Sequence, residues 1–386
     1  KEHIKGFDSE VFWVTHAGLN PLDVKLLLRP TSETAMYPMF SIWVRSHADL
    51  PLKTYQIVNT FRYETKQTRA FIRVREIHFF ESHTCHADLE DAERQVKEDY
   101  EIMARLSRKL CIPYKLLKRT DWDKFPGAFY TVGIDTLLPS GRSLQLGSIH
   151  QYRENFSKPY DIKYEDEKGD HKYVHQTTYG MSERLVGAVV AIHGDDKGLI
   201  LPPDIATVQA VIIPVLAKGA VEEVTEEARG LLMELRDAGV RAHLDERDLR
   251  PGAKYFDWEL KGVPLRLELG LRDMEKGQVT FVRRDSGEKS LHPRAHLVEE
   301  VRKTLSNIAR DMLDLAQKDM EAGTVTVDTL DNLPAKMIRT GWCGGEECGH
   351  EIEARSNKNI LGTPIEGEKF EGVCVICGKA TDRPVY

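Results

Sequence analysis

Phe61-Arg62-Tyr63-Glu64-Thr65-Lys66-Gln67-Thr68-Arg69-Ala70-Phe71-Ile72-Arg73-Val74-Arg75-Glu76-Ile77-His78-Phe79-Phe80 is the stretch on which the fold turns. Tyr55–Phe61 and Ile72–Phe80 are rich in aromatic and β-branched residues, and Thr65–Ala70 between them is polar. The pattern predicts strand, loop, strand, joined as an antiparallel hairpin. Alternation places Arg73 and Arg75 on one face and Ile72, Val74 and Glu76 on the other. With Arg62 on one strand and Arg73 on its partner, the hairpin offers a cationic slot for a polyphosphate. A solvated, salt-bridged hairpin is the plainer alternative, and the interleaved aromatics favour the slot. No Gly-x4-Gly-Lys-Ser/Thr and no strand-linked Gly-x-Gly-x-x-Gly is present, so a nucleotide site here has to be built from arginines on antiparallel strands.

Upstream, Arg29-Pro30-Thr31-Ser32-Glu33 sets a hydroxyl and a carboxylate two residues apart, suited to accept from an ammonium. The same residues also read as a helix start, with Thr31 or Ser32 as cap and an acid in the first turn. Downstream, an amphipathic helix is expected over 88–110, and further strand-like runs at Ser143–Leu146 and Val186–His193. Residues 1–204 therefore read as α+β with an antiparallel sheet. Leu201-Pro202-Pro203-Asp204 marks a boundary. Beyond it come a strand (Val208–Leu216), a helix (Glu222–Ala238) closed by Gly239, and a strand (Val240–Leu244). Pro264–Leu269 and a hairpin around Val279–Ser290 complete a small α/β domain over 205–292. Residues 293–386 open with a helix from about Ala295 to Ala322 and end in Cys343-x4-Cys348 and Cys374-x2-Cys377-Gly378. Four thiols in two short hairpins suit tetrahedral Zn²⁺, and a site with four cysteines leaves no open position, so the metal is expected to be structural. His350 is a substitute ligand in that reading, and Cys85 and Cys111 read as ordinary thiols.

The chain has 386 residues, with 54 Lys+Arg against 61 Asp+Glu, a net charge of −7. That excludes a chain-wide basic nucleic-acid binder, so any such contact must use local patches. The apolar runs Val186–Ile192 and Val211–Ala217 are far too short to span a bilayer. Lys1–Gly6 carries no signal-peptide pattern, and six cysteines without a disulfide framework point to a reducing cytoplasm.

Arg62-x-Glu64, the variable loop and Arg75-x-x-x-Phe79 resemble motif 2 of the class II aminoacyl-tRNA synthetases, and Ser182-Glu183-Arg184-Leu185 resembles motif 3. The wider ordered set adds Arg29-Pro-Thr31-Ser-Glu33, Glu81-x-His83, Gln145-x-Gly-Ser148-x-His150, Phe156-Ser157 and His193-Gly194-Asp195-Asp196-x-Gly198. It continues through Asp248-x-Arg250-Pro251-Gly252, Trp258-Glu-Leu-Lys261-Gly262 and Gly270-x-Arg272-Asp273. Together these are similar to the prolyl-tRNA synthetase family, archaeal/eukaryotic type, over nearly the whole chain.

The resemblance implies a class II catalytic core at 1–204, an anticodon-binding domain at 205–292 and a zinc-binding C-terminal domain at 293–386. Thr31 and Glu33 would hold the secondary ammonium of proline, with Phe79, His83 and His150 around its ring. Arg62 would bridge the substrate carboxylate and the α-phosphate. Glu64, Arg73, Gln145 and Ser148 would seat ATP with its Mg²⁺, and Ser182 and Arg184 would grip the triphosphate. Arg62 and Arg184 would be the catalytic pair. Ile77 stands where an adenine-stacking Phe is expected. Glu259, Lys261, Arg272 and Asp273 would read the anticodon, and Tyr386 matches a family ending that approaches the active site. Implied partners are ATP, L-proline and tRNA(Pro), with a homodimer, no membrane and no DNA; the dimer-forming motif 1 is expected ahead of residue 1. About 100 residues separate Phe79 from Ser182, too few for a large editing insertion. Misactivation of cysteine or alanine is expected, because a difference of about one methylene discriminates by only about 1–3 kcal/mol. The alternatives are a sister enzyme for threonine or serine, and a non-catalytic paralogue acting as a tRNA-binding or regulatory module.

Overall fold

Leu52–Phe61 and Glu76–His86 pair antiparallel in unbroken register, from Leu52 opposite Cys85 to Phe61 opposite Glu76. This is so in a computed structural model that describes residues 9–63, 66–216 and 219–386. The hairpin lies at one edge of a seven-stranded sheet. From the other edge the order is Thr363–Pro364, Lys115–Lys118, Tyr130–Leu137, Ser143–Arg153, His175–Ser182, Glu76–His86 and Leu52–Phe61. Every pairing in it is antiparallel. The helix Leu89–Leu110 turns Ala92, Val96, Met103 and Leu110 inward, as an amphipathic helix does, and leaves Ile102 exposed.

Two local expectations are corrected. The second strand of the hairpin begins at Glu76, not Ile72. Residues 66–75 form a loop, with Phe71 at φ 61° and a single bridge between Arg69 and Arg73, so Arg73 and Arg75 share no strand face. A tertiary contact turns the chain there. The Ile72 carbonyl accepts from Arg184 Nε at 3.0 Å, and the Ile72 side chain lies against Gly187, where a Cβ would come within 2.7 Å of it. The run Val186–His193 is helical, as part of Arg184–His193. Ala188 and Val189 are buried between exposed Val186 and Val190, one face of a helix, and a short apolar run alone does not separate helix from strand.

A second, mixed sheet has the order Ala242–Leu244, Ala210–Val215, Leu265–Gly270, Gln278–Arg283, Lys289–Pro293; the first two pairings are parallel and the rest antiparallel. The helix Val221–Asp237 buries Val224, Ala228, Leu231 and Leu235. Leu297–Ala322 adds Leu297, Val301, Leu305, Ile308 and Met312 to the same core. The described residues fall into two compact units. One lies within Lys1–Ala104, Tyr114–Ala188 and Met320–Tyr386, the other within Arg105–Pro113 and Val189–Asp319. Packing thus groups the last residues of the chain with the seven-stranded sheet, whose edge Thr363–Pro364 completes by pairing with Lys118 and Leu117. Among the described residues no helix is long and apolar enough to cross a membrane.

Candidate active site

Strand alternation directs Ile77, Phe79 and Glu81 of one strand and Thr178, Gly180 and Ser182 of its neighbour onto one face of the large sheet, where they line a cleft of about 520 Å³. Cross-strand register then sorts the side chains into rows. Phe79 faces Ser182; Glu81, Gly180 and Ser148 form a second row; His83, Thr178, His150 and Thr131 form a third. Opposite Ile134 and Asp135 the pairing shifts by one residue, because Ile134 faces Gly147 and Asp135 faces Gln145, leaving Leu146 as a bulge in Ser143–Arg153 itself. That shift lets odd-numbered Gln145 line the same cleft as Ser148 and His150. Gly180 leaves room for Phe79, whose ring would lie 2.9 Å from an added Cβ.

The helix Glu33–Trp43 does begin at the Thr31-Ser32-Glu33 turn, with Ser32 as the cap residue but no side-chain cap hydrogen bond. The hydroxyls go elsewhere. Thr31 Oγ1 lies 2.5 Å from Glu33 Oε2 and 3.0 Å from Glu81 Oε1, bridging two carboxylates that are both almost wholly buried. Ser32 donates to Glu81 from its hydroxyl and from its backbone N–H, the latter at 3.3 Å, and Tyr152 OH donates to Glu33 Oε1 at 2.9 Å. Two adjoining buried carboxylates make this floor of the cleft anionic, an environment that suits positive charge.

The same cleft holds the guanidinium groups of Arg62, Arg73, Arg119 and Arg184. Arg62 Nε donates to the Pro30 carbonyl at 2.9 Å, which aims the side chain, and its guanidinium lies 5.8 Å from the centre of the Phe79 ring. Arg184 is held by the carbonyls of Ile72 and Gln145, each at 3.0 Å, and its backbone N–H by Ser182 Oγ at 3.3 Å. His150 bonds Thr131 Oγ1 at 2.9 Å and Ser148 Oγ at 3.0 Å. His83 is fully buried behind the cleft, its Nδ1 shared by Tyr37 OH and Thr178 Oγ1 and its Nε2 4.0 Å from Glu81. Glu64 lies outside the described residues.

In the second unit, Glu259 lines a cavity of about 140 Å³ and is paired with Arg266 at 3.3 Å. Lys261 lies over the Trp258 ring at 4.4 Å. Asp273 caps its own short helix through the Gly270 N–H at 3.0 Å, and Arg272 stands beside it on that helix. In the first unit, the Sγ atoms of Cys343, Cys348, Cys374 and Cys377 all lie within 4.8 Å of one another. Tetrahedral thiolates at about 2.3 Å from Zn²⁺ would be separated by a little less than this, so the donor set fits that ion. Burial raises the Cys374 thiol, but the backbone N–H groups of Cys377, Ile376 and Cys343 outweigh it and hold the thiol at about 6, ready to ligate. His350 is outside the cluster, its ring tilted against that of Trp122 with centroids 4.4 Å apart.

Three family descriptions match the chain in order: the class II core domain of the tRNA synthetases for G, H, P, S and T over residues 12–193, an anticodon-binding domain over 209–304, and the prolyl-tRNA synthetase C-terminal domain over 327–386. The proline–tRNA ligase of Thermococcus kodakarensis is 55% identical over 98% of this chain and 81% of its own length. That of Pyrococcus horikoshii is 54% identical with the same coverage. The chain belongs to the prolyl-tRNA synthetase family. Among solved structures, Giardia lamblia prolyl-tRNA synthetase in complex with prolyl-adenylate superposes with a TM-score of 0.94 at 35% identity, over 100% of this chain and 83% of that one.

A prolyl-tRNA synthetase is a catalyst, and both arginines whose loss would mark a non-catalytic paralogue stand in the cleft. Sequence reasoning quoted Glu81 only as part of a motif and missed its pairing with Glu33. Its place two residues after Phe79 on a strand was the available signal. Arg119 and Phe125 carried no signal, since only the path of the loop after Lys115–Lys118 brings them to the cleft.

Burial pushes the His150 imidazole down to about 3, against the opposing pull of Glu33. The unfolded chain takes up that proton as pH falls through about 6.5, whereas the folded synthetase does not until about 3. Stability is therefore full above pH 6.5 and lost as pH falls below it. Between pH 7.5 and 5.5, urea unfolding is expected to lose about 1.4 kcal/mol through this one group. His150→Gln should flatten that slope; identical slopes in both proteins would show that His150 is not held neutral.

Proposed function

We propose that the cleft activates L-proline with ATP to prolyl-adenylate and pyrophosphate, and then passes the prolyl group to the 3′-hydroxyl of tRNA(Pro). The supporting observation is the Thr31-bridged Glu33–Glu81 pair in one cleft with Arg62, Arg73 and Arg184. A buried anionic floor suits the secondary ammonium of proline, and the guanidinium groups suit its carboxylate and the triphosphate. The amino-acid carboxylate is already ionised, so activation needs no general base; the residues neutralise charge and align the attack. Arg62 orients the carboxylate against the α-phosphate, and Glu64, Arg73, Gln145 and Ser148 seat ATP, which class II enzymes use with Mg²⁺. Ser182 and Arg184 hold the triphosphate tail. Phe79 and His150 bound the ring site, with His83 supporting it from behind. The Giardia lamblia enzyme, solved with prolyl-adenylate, supports the same intermediate here.

The four cysteines would hold one Zn²⁺, which supplies folding energy to the C-terminal module and no catalytic step. Glu259, Lys261, Arg272 and Asp273 remain our candidates for anticodon contact. A homodimer is supported by the sheet edge Leu52–Phe61, whose Tyr55 and Ile57 are each 71% exposed, and by exposed Ile42 and Trp43 on the helix Glu33–Trp43. Free thiols at all six cysteines accord with a cytoplasmic protein.

The test is ATP–pyrophosphate exchange with each proteinogenic amino acid, without tRNA. Exchange driven by proline, with at most weak cysteine or alanine signals, is expected. A threonine or serine signal would reassign the substrate, and silence from folded protein would reject the activity.

A further inference from the structure

The loop between Lys115–Lys118 and Tyr130–Leu137 brings Asp123, Lys124, Phe125 and Pro126 to the cleft wall. Phe125 is the member that meets the ring site. Its ring lies 4.6 Å from that of His150, and its N–H donates at 3.0 Å to Thr131 Oγ1, the hydroxyl that also bonds His150. Between the sheet anchors at Arg119 N–H to Thr131 O and Phe129 N–H to Gln151 O, the backbone bonds described within residues 120–128 are turn bonds, from Asp123 and Lys124 to Thr120 and from Ala128 to Phe125, and the Gly127 carbonyl accepts from Asn155 Nδ2 at 2.9 Å. Such a segment has little stability of its own and takes its position from outside contacts.

Those contacts reach the C-terminal module. Arg119, at the start of the loop, donates to both oxygens of Asp135, at 2.7 and 2.9 Å, and to the carbonyl of Leu361. Trp122, one residue before Asp123, packs against the cluster of Leu330, Trp342, Ile352 and Ile360. Its ring meets Trp342 edge-on at 6.1 Å and lies tilted on His350 at 4.4 Å. A Cβ at residue 349 would collide with the indole, so Gly349 is what leaves space for it. Gly349 and His350 directly follow Cys348, so one short backbone segment both presents a thiol to the four-cysteine cluster and seats Trp122. The indole Nε1 is buried without a hydrogen-bond partner, which is costly and shows that the ring is held for its volume and not for a polar contact.

We propose that Trp122 is a positioning residue that ties the Thr120–Ala128 loop to the four-cysteine module, so that the seating of this module sets the affinity of the cleft for its amino acid. The inference rests on the reading of the cleft as the proline site. If the seat loosens, proline must order the loop as it binds, and its affinity falls by the fraction of time the loop spends in place. ATP, held by groups on the strands, on the 66–75 loop and on the helix Arg184–His193, is not affected.

The experiment uses the full chain and compares wild type, Trp122→Ala and His350→Ala. Proline affinity is measured by calorimetry without ATP and by KM in exchange, together with ATP KM, zinc content and circular dichroism. Trp122→Ala is expected to weaken proline about tenfold with ATP KM, zinc content and secondary structure unchanged. Unchanged proline affinity in that variant overturns the inference. If Trp122→Ala loses zinc or structure, His350→Ala decides. His350 is half exposed and covers Trp122 from outside, so a smaller rise in proline Kd at full zinc content supports the inference and no rise overturns it. Wild-type protein that does not bind or exchange with proline would defeat the reading of the cleft itself, a separate outcome.

Discussion

Arg62→Ala is expected to lower proline-dependent ATP–pyrophosphate exchange by about a thousandfold or more while the fold survives. Removing one donor aimed at developing charge costs about 10²–10³ in rate, and Arg62 would serve two anionic groups at once, which places the loss at the upper end of that range. The structural cost is small by comparison. The side chain is only partly buried; its Nε donates to the Pro30 carbonyl and its guanidinium lies near the Phe79 ring. A hydrogen bond from a charged group contributes about 1.5–3 kcal/mol, so the fold should survive, with circular dichroism near wild type and a modestly lower unfolding midpoint. Arg62→Lys should rescue little, because an ammonium cannot make the paired, planar contact. Exchange retained at more than about a tenth of wild type would remove Arg62 from the phosphate slot, since that loss is under about 1.4 kcal/mol.

Cys374→Ala is expected to empty the metal site and unfold the C-terminal module. Cys374 is almost fully buried, and its backbone closes a tight turn: its N–H donates to Lys379 O at 2.7 Å and its carbonyl accepts from Gly378 at 2.9 Å. Structural Zn²⁺ contributes about 10–16 kcal/mol to the folding of small metal domains, far more than the few apolar side chains around this cluster replace. Metal content measured by atomic absorption should fall from one per chain to near zero, and limited proteolysis should begin to cut within residues 343–386. Thr363–Pro364, which lies between the two cysteine pairs, should then leave the edge of the large sheet. Full zinc content in Cys374→Ala would strike it from the ligand set.

How far these sites can be read without coordinates depends on the range of the interactions. The residues alone determine that Leu52–Phe61 and its partner form a hairpin, that the long helix Leu89–Leu110 has one apolar stripe, and that four cysteines pair off in short turns. In each case the deciding physics is local: β-branched and aromatic composition, a 3.6-residue period, ligand spacing. The ordered motifs also carried the family, because each is a short run whose chemistry survives being read in isolation. Only the tertiary structure decided that residues 66–75 leave the strand, since the Arg184–Ile72 contact joins groups 112 positions apart. It likewise decided that Val186–His193 is helical and that the Thr31 hydroxyl joins Glu33 to Glu81. The seating of Trp122 behind Cys348 belongs with these. Each rests on packing between segments distant in the chain, and such packing leaves no period, spacing or composition in the sequence for a reader to find.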